Sequence, residues 1–157
     1  MLMATMEIAP ATLQDAADWF ALRRALWPEA SDTDHHADIA RIASDPVRYG
    51  AFLARDAGAA VGFAEASLRH DYVNGCETSP VGFLEGIYTE PTRRQEGVAR
   101  ALTFAVEQWT RERGCSELAS DALLDNIDSH RMHGALGFEE TERVVGFRKV
   151  LGPRKVG

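Results

Sequence analysis
The stretch VGFLEGIYTEPTRRQEGVARALTFAVEQW, residues 81–109, decides how the rest of the chain is read. Its first part, 81–89, alternates with period two, the pattern of a strand. From 97 to 113 the period changes to 3.6: Val98, Ala101, Leu102, Ala105, Val106 and Trp109 form one apolar stripe, and Gly114 stands where a helix stops. A short strand over 116–121 follows, and a strand-helix-strand unit of this length implies a parallel pair. Between strand and helix lies Arg94-Gln95-Glu96-Gly97-Val98-Ala99. A helix start carries unpaired N–H groups and about half a positive charge, so it can hold a pyrophosphate if the backbone comes close. Gly97 permits that approach, and small Ala99 raises no wall. The spacing is not the six-residue dinucleotide fingerprint, and no Gly-Lys-Ser/Thr is present, which excludes nucleotide hydrolysis. Taken alone, the segment is equally compatible with a solvated turn.

Working outward, Thr12 with Asp15 resembles a capping box, and Leu13, Ala16, Ala17, Phe20 and Trp27 share one side of a helix. A second helix covers 33–44 and stops before Pro46. Strands are expected over 49–55 and 60–69, joined by the turn-like DAGA. Beyond the central unit come a helix from about 127 to 136, ended by Gly137, and a hairpin of 138–141 with 143–150. The order β-α-α-β-β-β-α-β-α-β-β is that of an α/β (α+β) fold with a mixed sheet.

A chain of 157 residues with 45% hydrophobic content supports one core, so residues 1–157 are read as one domain. The net charge of −7 argues against a nucleic-acid partner and permits a polycationic small substrate. No apolar run approaches the ~20 residues that cross a bilayer, and the N-terminus has no signal-like pattern, so neither a membrane partner nor export is expected and the location is read as cytoplasmic. Cys76 and Cys115 fit no disulfide or metal spacing and are read as reduced thiols. His130 and His133 form H-x-x-H without an evident third ligand, so no metal is expected. His35 and His36 are read as a surface pair.

The segment LEGIYTEPTRRQEGVARALTFAVEQW resembles the coenzyme A-binding motif of the GNAT acetyltransferase superfamily. Trp27-Pro28, RHDYVNGCETSPVGFLEGIY (69–88), ASD (119–121) and HGALGFEETERV (133–144), in this order, are similar to aminoglycoside 6′-N-acetyltransferases of type I. The resemblance covers nearly the whole chain. It implies a GNAT fold: a central mixed, mostly antiparallel sheet with a parallel, splayed strand pair and about four flanking helices. It also implies acetyl-CoA as cosubstrate and an aminoglycoside acceptor; a polyamine, an amino acid or a protein N-terminus would use the same cofactor cradle. A homodimer is implied as well, in which the terminal strand and the HDYVNGC segment help build the neighbour's site.

Residue by residue, the resemblance assigns the main chain of Ile87, Tyr88 and Thr89 to the pantetheine arm. Pro91, just past that strand, agrees, because pairing lapses there and leaves backbone groups free. Arg94, Gln95, Glu96, Gly97, Val98, Ala99 and Arg100 would wrap the pyrophosphate. Asn126 matches a coenzyme A contact and equally reads as an N-cap. Trp27, Tyr72, Asp121 and Glu142 match acceptor-contacting positions: carboxylates pair with ammonium groups, and aromatic faces cover sugar rings. Trp27 also reads as core, and Glu142 as part of a solvated run with Glu139 and Glu140.

Glu85 is the carboxylate singled out for catalysis. By alternation it shares a face with Val81, Phe83 and Ile87, so partial burial is expected to raise its pKa toward that of a useful base. An acceptor amine arrives as ammonium and must lose a proton before it attacks a thioester. The other reading has Glu85 solvated and holding substrate charge. Neither cysteine has a base and acid in an interpretable motif, which favours direct transfer in a ternary complex over an acyl-enzyme. Many members of the superfamily place a Tyr before L-G-F to protonate the leaving thiolate. Here that position is His133, leaving His133, a water or nothing specific for the task.

Overall fold
A computed structural model of the protein describes residues 6–156. Its elements run β1 (Met6–Pro10), α1 (Ala16–Leu26), α2 (Asp32–Ser44), β2 (Tyr49–Asp56), β3 (Ala59–Arg69), β4 (Val81–Thr89), α3 (Val98–Glu112), β5 (Leu118–Ser120) and α4 (Ile127–Ala135). The five strands lie in chain order; the first four pair antiparallel, and β4 pairs parallel with β5. This is the mixed, mostly antiparallel sheet that the resemblance implies, with four α-helices among the described residues.

Local chemistry accounts for most element boundaries. Before α1, the Thr12 main-chain N–H donates to Asp15 at 2.9 Å while the Thr12 hydroxyl accepts from the Gln14 N–H, so the capping box is real. Ser31 caps α2 by accepting from Asp34 N–H at 3.0 Å. The β2–β3 turn places Ala57 (φ 50) and Gly58 (φ 84) in the left-handed region, as a two-residue hairpin turn requires.

Two clusters sandwich the sheet. On one face Val98, Leu102, Val106 and Trp109 of α3 pack on Ala54, Val61, Ala64, Ala66 and Leu84. Fully burying a Val or Leu side chain is worth roughly 1.5–3 kcal/mol, so this stripe anchors α3. On the other face Trp19 and Leu22 of α1 and Ile39 and Ile42 of α2 pack on Ala51, Leu53 and Phe63.

Three expectations are corrected. Of the expected apolar side of α1, Ala16, Phe20 and Trp27 pack against the core, but Leu13 is 63% exposed, Ala17 is exposed, and the buried residues of the helix are Trp19, Leu22 and Arg23. The helix turns this way because the Trp19 indole donates to buried Glu65 at 2.8 Å, a partner 46 residues away. His35 is fully buried rather than on the surface; only His36 is exposed, stacked on Phe20. The hairpin of 138–141 with 143–150 does not form: 138–156 contains no strand, and Val144, Val145, Phe147, Val150 and Leu151 are exposed. A strand needs a hydrogen-bonding neighbour, and none of the chain's own strands pairs with this segment.

Candidate active site
The centre of the site is β4. On one side it is paired with β3 along its length, but on the other β5 matches only Gly82, Phe83 and Leu84. From Glu85 to Thr89 that edge is bare, so its main-chain groups are available to a ligand. The β3 register jumps here: Ala66 faces Leu84 and Glu65 faces Gly86, leaving Glu85 without an opposite residue. Glu85 is the extra residue of a β-bulge, and a bulge re-aims side chains. It therefore does not share a face with Ile87, as strict alternation would have it. Ile87 packs with the α3 cluster, whereas Tyr88 packs with the α1–α2 cluster.

The expected burial of Glu85 also fails. Its side chain is 35% exposed, and it accepts from the Ser67 hydroxyl at 2.6 Å and from both ends of the Arg69 guanidinium at 2.9–3.2 Å. Arg69 in turn lies 3.4 Å over the Phe83 ring. Neither Ser67 nor Arg69 stood out in the sequence; both become neighbours of Glu85 only through the strand pairing.

At the end of β4 the chain turns through Pro91–Arg93 into α3. Arg93 staples this turn, donating to Asp56 and Glu96, each at 2.6 Å, and Arg94 reaches the Thr89 carbonyl at 3.3 Å. Gln95 (φ 65) and Gly97 (φ 85) are both left-handed, a backbone feature the letters did not disclose at Gln95. Gly97 is the N-cap of α3, and a side chain there would meet only open space. The first helical bond runs from Ala101 N–H to the Gly97 carbonyl, so the N–H groups of Val98, Ala99 and Arg100 have no partner within the helix. Arg100 ties α3 to α4 through the Ala135 carbonyl at 2.9 Å. Asn126 caps α4, accepting from Ser129 N–H at 3.2 Å.

Beside β4 and β5 opens a cleft of about 1420 Å³. It is lined by Tyr72 from the 70–77 loop, Asp121 from the end of β5, and Glu142 from the terminal segment, together with Ser67, Arg69 and Phe83. Three of the expected acceptor residues thus share one cleft, and Glu85 is hydrogen-bonded to its wall. Trp27 stands apart. It packs edge-on to Phe63, under the Arg23 guanidinium, and against Gly86, the residue after Glu85.

Beneath Trp27 lies a buried polar network absent from the sequence reading. Arg23 pairs with Glu65 and with Asp38, and its Nε donates to His35 Nδ1 at 3.2 Å. Since Nδ1 accepts, His35 Nε2 carries the proton and donates to the Trp27 carbonyl at 3.1 Å. Burial pushes the Glu65 carboxyl up from its ordinary value, opposed by the Arg23 guanidinium and the Trp19 indole.

His133, half-buried on α4, sits 2.7 Å from the Ser129 carbonyl through Nδ1 and 2.7 Å from the Ser120 hydroxyl through Nε2. A carbonyl can only accept, so Nδ1 carries the proton and Nε2 accepts from Ser120; a neutral ring has no second N–H to give. Both cysteines are free, and burial pushes both thiols up, helped at Cys76 by the Glu117 carboxylate. A raised pKa lowers the thiolate fraction and makes either a poor nucleophile. Among the described residues no group of three His, Cys, Asp or Glu side chains could hold a metal ion, and no helix is long and apolar enough to cross a membrane.

Comparison with known proteins agrees with this geometry. Residues 15–138 match the sequence pattern of the acetyltransferase (GNAT) family. The chain belongs to the GNAT family. It is 56% identical over 135 residues to an aminoglycoside N(6′)-acetyltransferase type 1 of Serratia marcescens, covering 85% of this chain and 92% of that one. To the enzyme of the same name from Stenotrophomonas maltophilia it is 51% identical over 154 residues, 98% of this chain and 99% of the relative. Among solved structures, this GNAT chain superposes with a TM-score of 0.91 at 47% identity on AAC(6′)-Iy bound to the bisubstrate analogue CoA-S-monomethyl-acetylneamine, covering 94% of this chain and all of that one. The same enzyme bound to CoA gives the same score and identity.

Proposed function
We propose that the chain transfers the acetyl group of acetyl-CoA to the 6′-amino group of aminoglycoside antibiotics, by direct attack in a ternary complex, and so confers resistance to them. The observation that carries this reading is the bare edge of β4 from Glu85 to Thr89 leading into the left-handed glycine at the head of α3. These residues fit acetyl-CoA. The Thr89 hydroxyl is buried without a partner, and three helix-start N–H groups converge where an anion is favoured. The main chain of Ile87, Tyr88 and Thr89 would hold the pantetheine arm, residues Arg94 to Arg100 the pyrophosphate, and Asn126 the cosubstrate at the head of α4. When bound, acetyl-CoA supplies a thioester carbonyl open to attack by a free amine.

On the acceptor side, the names of the relatives specify the 6′ nitrogen, and the AAC(6′)-Iy complex joins CoA to acetylneamine. Asp121 and Glu142 pair with ammonium groups, Tyr72 and Trp27 cover sugar rings, and Glu85 accepts the proton lost by the attacking amine. With both thiols pushed up, by burial and at Cys76 also by the Glu117 carboxylate, neither cysteine is a good nucleophile and the amine attacks the thioester directly. The free thiols suit the reducing cytoplasm, where one GNAT domain per chain does this work.

The chain acts as a homodimer. Its terminal segment presents Val145, Phe147 and Leu151 at 77–94% exposure, more apolar side chain than a finished monomer surface carries in one stretch. A second copy that accepts this segment as a strand would cover it and bring Glu142 into a completed site.

The deciding experiment incubates the protein with acetyl-CoA and kanamycin-type and gentamicin-type aminoglycosides, a polyamine and an amino acid, with the product position read by NMR. The expected product is the 6′-N-acetyl aminoglycoside. Faster acetylation of the polyamine or amino acid, or acetylation at another nitrogen, overturns the acceptor assignment; failure of CoA to bind in calorimetry overturns the whole reading.

A further inference from the structure
A cation set inside an acceptor cleft for polycations is electrostatically out of place, and Arg69 is such a cation. It lines the cleft with Asp121 and Glu142, and its guanidinium meets both oxygens of Glu85 while the Ser67 hydroxyl takes a further position on Oε1. Oε1 is filled by Ser67 and Arg69, and Oε2 carries the Arg69 contact, so a substrate ammonium that approaches Glu85 meets the guanidinium at both oxygens and must displace it to take its place. Ser67 is fixed on the central strand β3 and its hydroxyl is neutral. Arg69 ends the same strand, is 41% exposed on its side chain, and rests on the Phe83 ring, which offers the guanidinium a place to stay when the carboxylate is taken. Half-exposed ion pairs are weak enough to be exchanged by a ligand.

We propose that Arg69 masks Glu85 in the acceptor-free enzyme and that the acceptor's ammonium displaces it, which makes Arg69 a specificity-determining residue of the acetyl transfer. The masking sets a threshold: an amine must bring enough positive charge to the neighbouring acids to win Glu85 from a guanidinium already in place. This rests on the reading of Glu85 as the acceptor-facing base.

The test is a double-mutant cycle of Arg69→Gln and Glu85→Gln, read by steady-state kinetics with a kanamycin-type acceptor, with thermal unfolding run on all four proteins. Arg69→Gln alone is expected to lower the acceptor KM roughly two- to five-fold, equivalent to about 0.4–1 kcal/mol, and to leave the acetyl-CoA KM in place. In the Glu85→Gln background the same change should have almost no effect on acceptor KM, because nothing remains to be masked. A fall in KM of equal size in both backgrounds would reduce Arg69 to a general repulsive charge and overturn the proposal, as would a rise in KM in Arg69→Gln. If Glu85→Gln alone keeps wild-type kcat and acceptor KM, the base assignment falls and the masking with it. If Glu85→Gln is impaired but Arg69→Gln leaves KM unchanged, the masking alone falls.

Discussion
Gly86→Ala separates the acceptor side of the site from the cosubstrate side. The position follows Glu85 on β4, and a methyl group built on Gly86 would stand 2.5 Å from Trp27 Cη2 and 3.2 Å from Leu26 Cδ2. Ordinary contact begins near 3.4 Å, so the indole must retreat by about 1 Å. It has little freedom to do so. Phe63 meets it edge-on at 5.8 Å, Arg23 covers its face at 4.7 Å, and its own carbonyl is held by His35. Overpacking of this kind costs typically 1–3 kcal/mol, roughly 3–10 °C in Tm for a chain of this size. Misplacing a substrate-positioning group by about 1 Å can cost up to about 100-fold in rate. The expected outcome is a Tm lowered within that range, a ten- to hundred-fold loss in kcat/KM for the aminoglycoside (about 1.4–2.7 kcal/mol), and an unchanged Kd for CoA in calorimetry. If Tm falls while acceptor kcat/KM holds, Trp27 is core and not acceptor wall. If CoA binding weakens in parallel, the division of the site into two sides is wrong.

Gly97→Ala meets no steric neighbour, so its cost comes only from the left-handed backbone at φ 85; it should lose about 1–2 kcal/mol of stability and raise the acetyl-CoA KM more than the acceptor KM. Equal effects on both KM values would detach Gly97 from the cosubstrate. The Asp15 carboxyl is held below its ordinary 3.8 by the Thr12 N–H, with Arg55 adding to this. A depressed folded pKa stabilises above the unfolded value and is lost as pH falls through the folded one. Asp15→Asn should therefore lower Tm at pH 7, and the difference from wild type should shrink below about pH 4; a gap independent of pH would refute the linkage. Phe147, 94% exposed in the single chain, should be covered in the dimer, so Phe147→Asp is expected to yield monomers by light scattering. Wild-type protein that is itself monomeric at assay concentration would end the dimer reading.

What the sequence disclosed was local. The Thr12–Asp15 cap, the Ala57–Gly58 turn and the stops at Gly114 and Gly137 depend on residues within a few positions of one another, and each stands where the letters put it. The stripe of α3 was equally plain, because a helix of fifteen residues repeats its message four times. The face of Glu85 was not legible: alternation holds only while the partner strand keeps register, and the bulge is a property of β3 and β4 together. Nor was the network of Arg23, Glu65, Trp19 and His35, since its members come from three elements and each polar letter by itself reads as surface. The terminal segment was misread as a hairpin for a related reason. Val144, Val145, Phe147 and Val150 favour a strand by residue type, but residue type does not name the neighbour a strand pairs with.

The opening in the sheet has an identifiable cause. The two parallel strands part only beyond Ser120, which is still paired with Leu84, with its hydroxyl 3.3 Å from the Leu84 carbonyl and bonded to His133; the segment that follows is held on α4, where the Leu123 carbonyl lies 2.9 Å from His130 Nε2. The H-x-x-H pair thus has a mechanical use, tying the end of β5 and the segment after it to α4. The bulge at Glu85 acts from the other side, turning one residue out of the ladder at the point where pairing with β5 ends. The lapse of pairing leaves main-chain groups of β4 without a strand partner, and the bulge turns the Glu85 carboxylate onto Ser67 and Arg69 at the cleft wall; each would be a defect in a closed sheet. Placed together at the head of α3, they suit the proposed function: main-chain donors would face an anionic cosubstrate while acids would face a cationic acceptor. Letting the segment beyond Ser120 close onto β4, for instance by removing its tie to α4 with His130→Leu, should weaken both affinities together in calorimetry, whereas loss of either charged surface alone would weaken only one.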